Sequence, residues 1–499
     1  MDTLLNDLHI FMADYWPHIA VAFSVAAGAA AAIHAAMTKR DVRAAIGWVA
    51  LALFSPLFGA LFYLVAGINR VRYSKMAQLR DAADPFAGHS PVAPPAEPAE
   101  TLPAHLRSLR RLGDEVSQYP LVAGNHIQPL PGGDAAYPAM LAAIGAAQRS
   151  VALGSYIFDN DAIGRQFVEA LAQAQARGVV VRVLIDSIGA RYSRPSITRR
   201  LRQAGLPVAL FMSDVLGLRL AYANLRSHRK VLVIDNQVAF TGGMNIRAGF
   251  MRAYAQGEPA QDAHFRVEGP VVGQLMMVFA HDWEFTTREH LPHDPWFLPA
   301  AAPATATALA TEVAPVAAPA MRVVASGPDR NLGHTHDMLL GALSVAQHHI
   351  RLQTPYFLPD ITLISALTIA ARRGVRIDVV IPDSNNLRLV DYAMMAQLDQ
   401  LIEKGVRVWR TIGSFDHAKL LTLDGVWSYV GSSNCDSRSL RLNFELDLEV
   451  HAPALASWIE QRIDAAIARS RPVTLETLRQ APFLSRLRNK CIWLASPYL

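Results

Sequence analysis

The chain repeats itself, and that repetition limits its possible folds more than any other feature. Residues 140–245 contain MLAAIGAAQRSVALGSYIF, then RGVVVRVLID, then SHRKVLVIDNQVAFTGGMN; residues 338–434 contain MLLGALSVAQHHIRLQTPYF, then RGVRIDVVIP, then DHAKLLTLDGVWSYVGSSN. In each copy an amphipathic helix feeds a strand, a second helix ends in Arg-Gly, and short β-rich runs follow. The expected architecture is α/β: two similar mixed-sheet domains with helices on their faces. At 499 residues the chain far exceeds the ~100–150 that one core usually serves, which agrees with a duplicated body.

Two Pro/Ala-rich tracts punctuate the sequence. One lies within 76–105 and reads as a tether; the other, 299–320, divides the body almost evenly. The expected domains are therefore 106–298 and 321–470, followed by a tail at 471–499 that either docks on a bilayer or packs on the body. Charged residues are only 18% of the chain, against roughly 25% in an average soluble domain, and 52% are hydrophobic. That balance excludes disorder and points to a membrane segment. Ala44–Ile68 is a run of 25 residues without a charge, and the Ala-rich Ile19–Met37 is a weaker run of 19. Residues 1–75 are accordingly expected to form a transmembrane helical hairpin, with helices at about 19–37 and 44–68. The net charge of +5 suits an anionic partner, lipid or nucleic acid. Two cysteines, Cys435 and Cys491, exclude a disulfide framework and a Cys-based zinc site, and suggest a reducing compartment.

Each copy carries His-x-Lys-x4-Asp: His228, Lys230 and Asp235, then His417, Lys419 and Asp424. In both, Gly follows Asp by seven residues (Gly242, Gly431) and Asn by ten (Asn245, Asn434). Alternation along a strand puts His and Lys on one face, and a glycine turn lets the Asn amide approach it. Two imidazoles, two ammonium groups and two amides suit a phosphoryl group. One imidazole attacks, the other protonates the leaving oxygen, and Lys and Asn hold the nonbridging oxygens. At this turn only the second copy offers a hydroxyl, from Ser432 or Ser433. Ser432, Asn245 and Asn434 are the candidate phosphate contacts. Asp262 and Glu445 are candidates to hold an imidazole's other nitrogen in the right tautomer.

The doubled motif resembles the phospholipase D superfamily over about Leu121–Val450. The segments SPLFGALFYLVAGINR, DAHFRVEGPVVGQL, TPYFLPD and GSSNCDSRSLRLNFELDLEV are similar to bacterial cardiolipin synthases. The resemblance implies two phospholipase D-like domains packed around one site. It implies a membrane-bound transferase that moves a phosphatidyl group between two phosphatidylglycerol molecules through a phosphohistidine, needing no metal or cofactor. By analogy the nucleophile is His228 and the acid His417, an assignment that the symmetry of the motifs leaves reversible. Asp235 and Asp424, placed with the catalytic set by the motif, are expected to brace it. The expected partners are phosphatidylglycerol, other anionic phospholipids and the bilayer, with no nucleic acid. The expected location is the bacterial inner membrane, multi-pass, with the body cytoplasmic. A phospholipase D-type hydrolase, or a phosphodiesterase or nuclease of the same superfamily, is the alternative.

Overall fold

In the computed structural model, the residues described are 11–12, 14–39, 41–68, 73–82, 102–213, 224–297, 316–317 and 319–496. Most of both Pro/Ala-rich tracts lies outside them. The described residues up to Ile68 form one body, and those from Tyr73 onward form another.

The first body is helical. Its longest helix, Trp16–Thr38, is the only one among the described residues long and apolar enough to cross a membrane. The uncharged run Ala44–Ile68, expected to be the stronger span, is broken. One helix covers Val42–Phe54 and the next begins at Pro56, with Ser55 at φ −138° and ψ 73° between them. Proline lacks the N–H that would continue the ladder and pushes its predecessor out of the helical region. Thirteen residues at ~1.5 Å each give about 20 Å, short of the ~30 Å hydrocarbon layer, so of the two expected spans only the first is found among the described residues and a multi-pass anchor is not supported. The helices meet through small residues. A Cβ on Gly28 would lie 2.5 Å from the Ala52 carbonyl oxygen, and such close backbone approach is how helices associate in lipid. Large apolar side chains, among them Phe23, Phe54 and Phe58, point outward.

The second body holds both copies of the repeat. The first copy builds an eight-stranded sheet in the order 208–211, 180–186, 150–155, 231–234, 238–242, 263–268, 126–131, 316–317. The second runs 320–326, 443–451, 427–431, 420–423, 349–353, 376–382, 407–411, 470–473. From 208–211 through 126–131 the strands correspond one to one with those from 407–411 through 320–326. In each sheet the two strands after the Arg-Gly helix add in parallel and the other neighbours in these two orders are antiparallel. The parallel strands are Val- and Ile-rich because helices cover both faces. Gly132–Ala146 and Ala162–Ala176 pack on one side of the first sheet and Val271–Thr287 on the other.

Two boundaries differ from the expectation. Helix Ala104–Val116 was placed with the first domain, yet its Leu106 and Leu109 are buried in the core of the second, against helix His334–Val345. Val316–Ala317, placed in the linker, pairs with His126–Ile127. Apolar spacing marks a helix but not which core receives it.

Candidate active site

The halves are tied together at their histidines. Short strand Arg226–Ser227 runs parallel to Asn443–Phe444 of the other half, and the His228 N–H donates to the Phe444 carbonyl at 2.8 Å. The mirror contact is a bridge between Gln261 and Asp416, with the His417 N–H donating to the Gln261 carbonyl, also at 2.8 Å. The next residue on each accepting segment is a carboxylate. Each imidazole therefore meets the carboxylate of the opposite copy: His228 Nδ1 lies 2.9 Å from Glu445 Oε2, and His417 Nδ1 3.0 Å from Asp262 Oδ2. The two candidate orienting residues thus sit on the imidazoles, each crossing from the other half. His228 and Lys230 precede strand Val231–Ile234 rather than lying in it, and His417 and Lys419 likewise precede Leu420–Leu423.

Both imidazoles line one cavity of about 620 Å3, together with Asn245 and Asn434. Asn245 accepts the Ile157 N–H at 3.1 Å, and Asn434 reaches Ser439 Oγ at 3.3 Å while its buried Oδ1 has no partner. The two lysines stand one layer back, each ammonium 2.5 Å from the carbonyl oxygen of its own motif histidine. Tyr156 and Tyr356 place their rings edge-on to His228 and His417, with centroids 5.0 and 6.2 Å apart. Sequence reasoning missed these tyrosines, which stand one position apart in the aligned segments GSYIF and QTPYF. It also missed Arg226 and Arg438, two cations on the cavity wall.

Asp235, Asp424 and Ser432 all hold groups of the protein itself. Asp235 accepts the backbone N–H groups of Gln148, Arg149 and Ser150 at 2.9, 2.8 and 2.8 Å; Asp424 accepts those of Gln347, His348 and His349 at the same distances. Each follows the far end of the strand that leaves its motif, Val231–Ile234 or Leu420–Leu423, and neither is among the residues lining the cavity. Ser432 is fully buried. Its hydroxyl donates to Glu445 Oε2 at 2.5 Å and accepts the Leu446 N–H at 2.9 Å, which leaves nothing for a phosphate. Its counterpart Gly243 has no room for a side chain, since a Cβ there would lie 2.5 Å from Asp262 Oδ1. The asymmetry of the two turns therefore acts on the carboxylates: Glu445 also takes Asn443 at 3.0 Å, while Asp262 takes the Ala263 N–H at 2.7 Å besides the imidazole.

Burial sets the charge states. Burial first, then Lys230 and Lys419, pushes His228 well below its ordinary value; burial and Lys419, opposed by Asp262, bring His417 to about 4. Burial lowers Lys230 to about 7 and Lys419 to about 8, against the attraction of Glu445 and Asp262. Burial also opposes charge on Asp262, yet the hydrogen bond and charge of His417 with Lys419 hold it below the ordinary carboxylate value. Burial lifts Glu445 above that value despite Lys230 and the Ser432 hydroxyl. The resting site thus holds two neutral imidazoles with Nδ1 engaged and Nε2 free. Among the described residues, no cluster of His, Cys, Asp and Glu could hold a metal ion.

A family model described as Cardiolipin synthase, PLD-like domain matches residues 140–283 and 339–467, and one described as Phospholipase D-nuclease N-terminal matches 27–67. Cardiolipin synthase A of Pseudomonas fluorescens is 31% identical over 500 residues, spanning 97% of this chain and 100% of that one. The protein of the same name from Pseudomonas entomophila is 32% identical over 482 residues, spanning 95% and 96%. A crystal structure of phosphatidylserine synthase from Haemophilus influenzae matches 78% of this chain and 100% of its own with a TM-score of 0.59. At 16% identity that likeness is one of fold.

Proposed function

Because the chain belongs to the cardiolipin synthases of the phospholipase D superfamily, we propose that it transfers a phosphatidyl group from one phosphatidylglycerol to another. The observation that carries this reading is the pair of imidazoles on one cavity, each gripped at Nδ1 by a carboxylate from the opposite half. In the first step His228 Nε2 bonds to phosphorus, the bond to the headgroup glycerol oxygen breaks, and His417 gives that oxygen a proton. In the second, His417 takes the proton of a glycerol hydroxyl on a second phosphatidylglycerol. The freed oxygen bonds to phosphorus and the P–N bond breaks, yielding cardiolipin.

The carboxylates support this division of labour. Asp262 is held in its charged form and so favours an imidazolium at His417, the acid and later base. Glu445 is lifted toward its neutral form, supports a cation less, and leaves His228 as the neutral nucleophile. When the phosphodiester binds, its negative charge adds to that of Asp262, and His417 takes a proton from solvent at Nε2, which it then gives to the leaving oxygen. Lys230 and Lys419 balance the charge of the nonbridging oxygens from behind the histidines. Turning the Asn434 amide over would aim its NH2 at a phosphate oxygen. Ile157, Ile188, Leu358, Val390 and Phe415 on the wall suit a lipid. We place the body on the cytoplasmic face of the bacterial inner membrane, held by the apolar helix.

The test is to trap the adduct. His417→Ala incubated with phosphatidylglycerol and quenched should carry a phosphatidyl group on His228, and His228→Ala should carry none. An adduct on His417 would reverse the assignment, and one on neither would remove the covalent mechanism.

A further inference from the structure

The last described helix, Phe483–Trp493, is held to the body by one face only. Ile492 and Trp493 pack on the core of the second half, and the Trp493 indole N–H donates to Gln397 Oε1 at 3.1 Å. Lys490 adds a bond to the Ala396 carbonyl at 2.5 Å. The outward face is apolar: Phe483, Leu484 and Leu494 are 67%, 75% and 74% exposed, and Leu487 is 47% exposed. At about 100° per residue, Phe483, Leu484, Leu487 and Leu494 fall within a sector of roughly 100°, opposite the packed Ile492 and Trp493.

Charge says what covers this face. Arg488 lies on one side of the apolar sector and Arg486 on the other, while Lys490 is held by the Ala396 carbonyl and Asp399, and residues 481–499 contain no Asp or Glu. An apolar stripe edged by cations suits an anionic bilayer, where the stripe enters the acyl boundary and the basic side chains meet phosphates. A protein partner would be expected to supply acids within its own apolar face, a far more specific demand.

The helix is also joined to the mouth of the cavity. It packs on helix Arg388–Met395, with the Arg488 guanidinium 3.7 Å from the centroid of the Tyr392 ring. Leu387, immediately before that helix, lines the cavity, and Leu387 and Leu389 are 47% and 55% exposed beside Arg388. We propose that helix Phe483–Trp493 and the Leu387–Leu389 rim form one docking surface for an anionic phospholipid bilayer, which seats the cavity mouth against its substrate. The inference rests on the reading that the cavity takes phospholipid, but it is tested apart from it.

The full chain carrying Cys491→Ser and Leu484→Cys, labelled with an environment-sensitive fluorophore, is reconstituted into vesicles of phosphatidylglycerol and phosphatidylcholine. Cys435 is buried, and the Cys491→Ser parent controls for its labelling. The label should shift to the blue and be quenched by spin-labelled lipid, and less so in vesicles of phosphatidylcholine alone. An emission that stays aqueous in both overturns the docking surface whatever the catalytic chemistry. In the unlabelled chain, Leu484→Glu with Leu487→Glu should lower turnover of vesicle phosphatidylglycerol on the order of tenfold or more, while turnover of a micelle-free short-chain phosphatidylglycerol stays unchanged. Equal loss on both substrates, or no loss on either, would equally contradict it.

Discussion

Asp262→Asn keeps the shape of a buried side chain and removes its charge, so it isolates what the opposite half contributes to His417. The wild-type contact is a 3.0 Å hydrogen bond from Nδ1 to a carboxylate that is fully buried. A hydrogen bond to a charged group contributes roughly 1.5–3 kcal/mol. If all of it is expressed in the transition state, kcat/KM falls roughly 10- to 150-fold at ~1.36 kcal/mol per decade. The amide can also donate its NH2 to Nδ1, which moves the ring proton to Nε2 and leaves no lone pair to take the acceptor's proton. Breakdown of the phosphatidyl-enzyme should then slow more than its formation, so the adduct accumulates on His228. A further signature separates this from structural damage. The Asp262 charge raises the proton affinity of Lys419, whose pKa is about 8, so the alkaline limb of kcat/KM should move to lower pH in the variant. The assay is cardiolipin formation in detergent micelles across pH, with quenched samples analysed for the adduct. A variant with unchanged kcat/KM and no adduct would refute the idea that the opposite carboxylate orients and charges His417.

In the wild-type enzyme kcat/KM should fall about tenfold per pH unit above about 4, where free His417 loses the proton the first step needs, and more steeply from about 7 to about 8, where Lys230 and Lys419 lose theirs. The fall in kcat should come later, since a bound phosphodiester holds these groups protonated, and a slope that does not steepen from about 7 to about 8 would contradict the role given to the lysines. Asp235→Ala should lose roughly 2–4 kcal/mol of stability with its three backbone hydrogen bonds, read as a lower midpoint of denaturation. The protein that remains folded should keep its kcat, and a specific loss of kcat would return Asp235 to the catalytic group. Arg80→Met should cost roughly 3–5 kcal/mol, because Arg80 pairs with Asp329 at 2.7 Å and Asp282 at 2.8 Å in a buried cluster shared with Arg229. A midpoint equal to wild type would show that the cluster contributes nothing to stability.

The duplication, the two α/β sheets and the histidine-lysine motifs were legible because each is written in consecutive residues. The pairing of the motifs was not. Glu445 and Asp262 stand out as carboxylates in each copy, but His228 and Glu445 are 217 positions apart and His417 and Asp262 155 apart. Only the docking of the halves decides which joins which. Ser432 misled because a hydroxyl beside a phosphate motif reads as a ligand, while its position opposite Glu445 comes from strand register. The uncharged run Ala44–Ile68 reads as one span because a membrane helix can tolerate Pro56, whereas the backbone breaks at Ser55 just before it. The tyrosines beside the histidines fall one position apart in the aligned copies, so the repeat does not single them out, and only the folded strand ends bring both rings to the imidazoles.

The central claim is transfer between lipids, and its most direct measurement is mass spectrometry of the lipids formed when purified, detergent-solubilised protein meets phosphatidylglycerol alone in 18O-labelled water. Cardiolipin and glycerol in equal amounts, both free of the label, are the predicted result, since neither step admits water. Phosphatidic acid carrying the label, without cardiolipin, would contradict the account and make water the acceptor.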